Sequence, residues 1–378
     1  MTAPDPSPEL LVVEALGVRV AADLSVARVA GEEVAAIRTG WSRARVNGHR
    51  VDATVPPALL ASQPSPARLA AALTTAVTLA AIDARAGELV MLHAAGVADP
   101  ATGATVALVG PSGRGKTTAS RALARHWGYV SDETVGVDPV TLAVVPHPKP
   151  LSVKASAQPE ATRGAPKVQV GPDEAGLLPA PDHCRLVRVV LLDRTPDHTG
   201  PPTVAPVAVT RAVGELTAEL SHLRHWETPL ATVAGLLTAT GGALRVRYAE
   251  AADLVPLLSE LVAHPDRELR WWPVPAGTGN SDGAAGAQRW LRRAADEAIA
   301  DDDTVAVLLS DEDGSRVVVL DGIGTTLWHH TARPRTTADL VSTVVEHHGT
   351  PPAGSPTSLV TQTLASLQAR GVLHRCEP

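Results

Sequence analysis

Phenylalanine is absent from this 378-residue chain, tyrosine occurs twice and tryptophan seven times. With aromatics at 2%, hydrophobic cores have to be assembled from Leu, Val and Ala. A GC-rich coding sequence accounts for the shortage, because Phe, Lys, Ile, Tyr and Asn use AT-rich codons. Cysteine is scarce too. Cys184 and Cys376 stand alone, which excludes a disulfide framework and a cysteine-built structural zinc site. Positive charge is nearly all arginine, since the only lysines are Lys116, Lys149, Lys154 and Lys167. A formal net charge of −7 and a pI near 6.0 argue against broad nucleic-acid binding. Long apolar runs are lacking as well. The most apolar stretch, Leu69 to Ile82, is bounded by Arg68 and Asp83; at about fourteen residues it is too short to cross a bilayer and reads as a buried helix. Met1 to Pro8 is polar and proline-rich, so no secretory signal is expected, and the protein is expected to be cytoplasmic, with no membrane or nucleic-acid partner.

What is present is ordinary for a globular protein: 44% hydrophobic and 19% charged, in a chain long enough for two or three domains. One stretch stands apart. Gly110-Pro-Ser-Gly-Arg-Gly-Lys-Thr117 reads G-x-x-x-x-G-K-T, the phosphate-cradling P-loop. The apolar run Thr105-Val-Ala-Leu-Val109 before it predicts a buried strand. Ala119, Ala122, Leu123 and Trp127 after it predict a helix from Lys116, with Gly128 as its C-cap. Glycines let backbone N–H groups turn inward around phosphate oxygens, and the helix N-terminus adds partial positive charge. Gly110, Ser112, Gly113, Arg114, Gly115, Lys116, Thr117 and Thr118 are therefore the candidate nucleotide-binding residues. Lys116 would reach the β- and γ-phosphates, and the Thr117 hydroxyl would complete Mg²⁺ coordination. ATP and Mg²⁺ are the expected ligands.

Residues 9–57 alternate short apolar runs, among them Leu10-Leu-Val-Val-Glu, Val18-Arg-Val and Val34-Ala-Ala-Ile, with turn and charged residues, which predicts a small β-rich region. A helix over 67–83 leads into the strand Leu89 to Val97. Tyr129 to Val137, Leu142 to Val145, Leu186 to Leu192 and Leu244 to Tyr248 read as further strands; 209–224, 229–239 and 252–263 read as helices. Residues 273–287, rich in Gly, Pro, Ser and Ala, look like a linker. The expected division is a β-rich region plus helix over 1–85, a P-loop domain over 86–265, a linker over 266–288 and a last domain over 289–378. The expected fold class is α/β.

Leu92-His-Ala-Ala-Gly-Val97, the P-loop and Tyr129-Val-Ser-Asp-Glu133, in that order, resemble the HPr kinase/phosphorylase superfamily, closest to the HPr-kinase-related proteins of peptide-modifying gene clusters. Pro148 to Lys154 and Val246 to Ala249 resemble later segments of that group, so the likeness covers about 85–262. It implies that His93 belongs to the site, that Asp132 is the base on the acceptor hydroxyl, and that Glu133 lies near the metal. Phosphoryl transfer independently needs positioning, a cationic clamp, Mg²⁺ and one group to orient the nucleophile. The residues also admit structural readings: Asp132-Glu133 as a solvated turn, His93 as a hydrogen-bonded core histidine, Asp193 after Val189-Val-Leu-Leu as an ordinary strand-end acid rather than a Walker-B-like one. Arg194, Lys149 and Lys154 read either as phosphate or substrate contacts or as surface charges. The second HPr-kinase signature, Glu-x-Arg-Gly-x-Gly, is echoed only weakly by Glu160-Ala-Thr-Arg-Gly164, which argues against HPr itself as acceptor and against the reverse phosphorylase reaction.

Val317 to Trp328, Arg335-Thr-Thr-Ala-Asp-Leu340 and Leu364 to Leu373 are similar to PqqD-like domains, winged-helix-type modules that recognise the leader of ribosomally made precursor peptides. The pattern itself predicts a strand pair, a helix around Trp328, a helix capped by Thr336 or Thr337 with Leu340, Val344 and Val345 inward, and a last helix presenting Leu359, Leu364 and Leu367. The two resemblances together imply a kinase for a Ser or Thr hydroxyl of a precursor peptide whose leader is held by 289–378. A nucleotide-binding peptide adaptor and a kinase for a free small molecule such as serine remain the alternatives, and a homo-oligomer stays open.

Overall fold

The computed structural model describes residues 9–48, 50–154, 167–263, 267–277, 288–312 and 314–376. Glu160 to Gly164 and, of the 266–288 segment, residues 266 and 278–287 lie outside them. The protein is mixed α/β. Its chain divides into two compact units: Met1–Pro206 with Glu219–His225 and Ala239–Arg267, and Val207–Ala218 with Trp226–Thr238 and Glu268–Pro378.

The first unit is built on a ten-stranded sheet. Its longest strand, Cys184–Arg194, is apolar through Val189 to Leu192, and those residues are buried. Such a run suits a parallel strand covered on both faces. It pairs in parallel with Ala104–Val109 on one side, Leu191 opposite Val109, and with Ala243–Tyr248 on the other, Arg194 opposite Tyr248. Ala94–Ala98 runs antiparallel to Ala104–Val109 with Ala94 opposite Val109, and Gly128–Ser131 runs antiparallel to Ala94–Ala98 with Gly96 opposite Ser131. These registers bring the carboxyl ends of four strands, and the amino end of Ala94–Ala98, to one end of the sheet. Ala119 and Leu123 of the helix Lys116–Leu123 share a core with Val106, Leu108, Val190 and Val246.

A second core in the same unit lies under the three-stranded sheet Leu10–Ala15, Val18–Asp23 and Ala53–Thr54. The helix Pro66–Ala84 presents Leu69, Leu73, Val77 and Ala81 to it, each fully buried. Each of the larger side chains contributes roughly 1.5–3 kcal/mol of burial. By length and composition alone this helix could cross a membrane, but its apolar stripe is taken up by the core.

Several elements differ from the sequence expectation. Val34-Ala-Ala-Ile lies in the helix Gly31–Gly40, not a strand; Glu33 reaches back 3.0 Å to the Ala30 N–H, and Val34 alone of that helix is fully buried. The helix from Lys116 stops at Leu123, and Gly128 opens a strand instead of capping a helix. There its missing side chain matters, because a Cβ would stand 2.6 Å from the Pro179 carbonyl oxygen. The expected long strands 89–97 and 129–137 are each interrupted, at His93 and at Asp132 to Thr134.

In the second unit, the strand pair Thr304–Asp311 and Gly314–Asp321 joins Glu297–Ala300 and Trp272–Pro273 in a four-stranded sheet. The helices Ile323–His330, Thr337–His348 and Pro356–Ala369 follow, and Arg289–Arg292 pairs with Leu373–Cys376. Thr336 caps the middle helix in a reciprocal box with Asp339, at 3.1 Å each way. Leu340, Val344, Leu364 and Leu367 are buried, and Val345 is half-buried; Leu359 is exposed, and Val360 takes the inward position instead. The helices Val209–Thr217 and Pro229–Ala239 also belong to this unit, although the sequence reading sets them in the 86–265 stretch. Gly214 explains part of this: a Cβ there would collide with Val319, so only glycine lets helix and strand approach.

Candidate active site

The glycine loop begins where Ala104–Val109 ends. Gly113 (φ +82°) and Gly115 (φ +95°) adopt the left-handed backbone that side-chain-bearing residues avoid. Gly115 is the N-cap of Lys116–Leu123 and offers no side chain to the first-turn N–H groups. Those N–H groups have no acceptor within their own helix and lie at its positive end. Gly110 is buried and Thr117 half-buried, whereas Ser112, Arg114 and Thr118 are exposed. Lys116 is 6% exposed, and its Nζ donates to the Gly110 carbonyl oxygen at 2.5 Å. Partial burial lowers its pKa, with the charges of Glu219 and Glu133 opposing. A cation folded over its own loop, above free N–H donors, fits a polyphosphate.

Asp132 and Glu133 follow the strand Gly128–Ser131. Their turn is held by the Ser131 hydroxyl, which accepts from Glu133 N–H at 3.2 Å and Thr134 N–H at 3.1 Å. Asp132 is 4% exposed and accepts from the Tyr129 hydroxyl at 3.0 Å. Lys149 Nζ lies 2.8 Å from Asp132 Oδ1 and 3.0 Å from Glu133 Oε2. Burial works against the Lys149 charge, but the two carboxylates outweigh it and its pKa is raised. Lys149 is thus no surface charge: it neutralises the acidic pair from below. Tyr129 is pushed well above the ordinary phenol range, by burial first and by Asp132 second.

His93 sits in the break between Val90–Leu92 and Ala94–Ala98, with 45% of its side chain exposed. Its pKa is lowered by burial and then by Lys116, while Glu219, Glu133 and Asp132 pull the other way. His93, Lys116, Asp132 and Glu133 therefore share one electrostatic neighbourhood. At its centre stands a residue the sequence did not reveal. Glu219 Oε2 is 3.6 Å from His93 Nδ1 and 3.9 Å from Lys116 Nζ, and its carbonyl oxygen accepts from His93 N–H at 2.7 Å. No local signal marks it, since Glu215-Leu-Thr-Ala-Glu219 reads as ordinary helix.

Neither a protein-family model nor a curated protein matches this chain. Geometry therefore carries the functional reading.

At the ends of the neighbouring strands, Asp193 is held by Arg247 at 2.8 Å, and Arg194 donates to the Ala249 carbonyl oxygen at 3.0 Å. A Cβ on Gly115 would lie 3.6 Å from Arg194 Cδ and 3.8 Å from the Tyr248 hydroxyl oxygen, so both side chains flank the loop. That hydroxyl is buried and has no hydrogen-bond partner among the described residues. An orphaned donor beside a glycine cradle is what a phosphate-bearing ligand would satisfy. Among the described residues no three His, Cys, Asp or Glu side chains are grouped to hold a metal. Thr117 and Glu133 suit a cation bound jointly with phosphates better than a site made wholly by protein. Lys154 ends the strand Leu151–Lys154; its side chain lies outside the described set.

Proposed function

We propose that this chain is an ATP- and Mg²⁺-dependent kinase of the HPr-kinase-like type, acting on a Ser or Thr hydroxyl of a ribosomally made precursor peptide. The observation that carries the reading is the gathering of the glycine loop, Lys116, His93 and Asp132-Glu133 at one end of one sheet. The loop N–H groups and Lys116 bind and orient the donor phosphates, releasing Lys116 from the Gly110 carbonyl oxygen. Mg²⁺, held by Thr117 and Glu133, would supply charge neutralisation on those phosphates. The acceptor oxygen bonds to the γ-phosphorus as the bond to the bridging oxygen breaks and its electron pair leaves with ADP. The hydroxyl proton passes to Asp132, whose bond to Lys149 must lengthen as it does so. Lys149 holds the acidic pair in place beforehand, 2.8 Å from Asp132 and 3.0 Å from Glu133, and His93 with Glu219 flanks the transferred group.

The second unit is proposed to be a PqqD-like leader-binding module. In support, Gly314–Asp321 is an edge of its sheet among the described residues, the kind of strand that a peptide can extend.

A second reading, a nucleotide-binding adaptor without catalysis, is favoured by one observation: Asp132 is closed to solvent and already paired. Incubation with ATP, Mg²⁺ and a Ser- or Thr-containing precursor peptide separates the two. The kinase reading expects a mass gain of one phosphate on the peptide, lost in Lys116→Ala and Asp132→Asn. Nucleotide binding without any such gain would leave only the adaptor.

A further inference from the structure

A cavity of about 560 Å³ in the first unit is walled by the helix Pro66–Ala84 and by the hairpin of Leu151–Lys154 with Lys167–Val170. Its wall includes Glu133, the one residue it shares with the candidate active site. That carboxylate is tied to Lys149 at 3.0 Å, and its charge is felt by both Lys116 and His93. A molecule in the cavity would therefore lie against Glu133, next in the chain to Asp132, without entering the glycine loop. Among the described residues the rest of the wall mixes polar side chains, Arg68, Thr75, Ser152, Lys167 and Gln169, with the apolar Ala67 and Ala71. Arg68 and Lys167 are exposed and pair with no carboxylate among the described residues. Ser152 and Gln169 bond each other, at 3.0 and 3.2 Å, which stiffens the hairpin side.

We infer that this cavity is the acceptor subsite, and that it takes a hydroxyl-bearing molecule carrying a carboxylate, the hydroxyl toward Glu133 and the carboxylate met by Arg68 and Lys167. Two cations at the rim of a chamber select a carboxylate and discriminate against the amide that replaces it. The volume suits an amino acid or a short peptide segment, and so gives the N-terminal region a task. The inference rests on the kinase reading only for what happens to the occupant; occupancy itself is tested without turnover.

The test is a set of calorimetric titrations of the full chain with two matched pairs of probes: L-serine against L-serinamide, and N-acetyl-Asp-Ser-amide against N-acetyl-Asn-Ser-amide. The carboxylate-bearing member of at least one pair is expected to bind about tenfold tighter or better. Arg68→Gln and Lys167→Gln should each remove most of that preference, and Ala71→Trp, which fills the cavity, should abolish binding. Preference within the serine pair alone identifies a free hydroxy acid, and within the peptide pair alone a peptide. Equal binding within both pairs, no binding at millimolar concentration, or indifference to the exposed-site change Arg68→Gln overturns the inference, whether or not Ala71→Trp folds. ADP release measured on the same samples keeps the two readings apart. Selective binding without ADP release removes the kinase and leaves the subsite. ADP release with a KM unmoved by Arg68→Gln and Lys167→Gln does the reverse.

Discussion

Lys149 Nζ stands 2.8 Å from Asp132 Oδ1, and both side chains are sealed from solvent at 0% and 2% exposure. Neither charge is tolerable there alone. Lys149→Met should cost about 3–5 kcal/mol of stability by leaving Asp132 buried and unpaired. Pairing it with Asp132→Leu should recover much of that loss while abolishing the proposed phosphoryl transfer. Urea unfolding of the two single variants and the double variant checks this through the coupling energy.

Glu219 supplies an anion to His93 at 3.6 Å. An adjacent anion favours the protonated imidazole, so Glu219→Gln should lower the His93 pKa below its already depressed position. Imidazole NMR titration reads the shift directly. The basic partner Lys116 loses an opposing charge in the same variant, so its pKa should fall as well.

Tyr248 separates folding from ligand binding. Its hydroxyl is buried and unpartnered, and such a group carries a desolvation penalty of about 1–3 kcal/mol. Tyr248→Phe should therefore leave thermal stability unchanged or raised, while weakening ATP binding by about 1 kcal/mol, the net value of one hydrogen bond. A loss of stability with unchanged nucleotide affinity would detach this side chain from the site.

His147 makes stability depend on pH. It is fully buried, its Nε2 is 3.0 Å from the Thr78 hydroxyl, and burial followed by the Lys149 charge holds its pKa down to about 3. Unfolded, the imidazole takes up its proton near 6.5, so below that pH the unfolded chain binds more protons than the folded one. The contribution is complete above that value and declines by about 1.4 kcal/mol per pH unit as acid is added. Denaturant titrations from neutral to mildly acid pH should show this slope, reduced in His147→Gln.

The glycine loop is the part most legible in the chain. Its turn depends on left-handed backbone at Gly113 and Gly115, and that is a local property of glycine. The strand before it, the helix after it and the mixed α/β class follow from apolar periodicity of the same short range. Reading stops where side chains meet across the sheet. The sequence leaves Asp132-Glu133 open between a catalytic pair and a solvated turn, and only the Lys149 contacts at 2.8 and 3.0 Å show that Asp132 is buried and paired. Leu89 to Val97 looks like one strand until His93 is seen to break it and bond the Glu219 backbone.

Sequence alone thus determined a phosphate-shaped turn at a strand-to-helix junction, because backbone conformation there is dictated by the residues in place. Only the tertiary structure decided what surrounds it: Glu219 between His93 and Lys116, Lys149 closing the acidic pair, and the first long helix walling a chamber beside Glu133. Those contacts join segments distant along the chain. Strand register and helix packing set them, and no neighbouring residue encodes either.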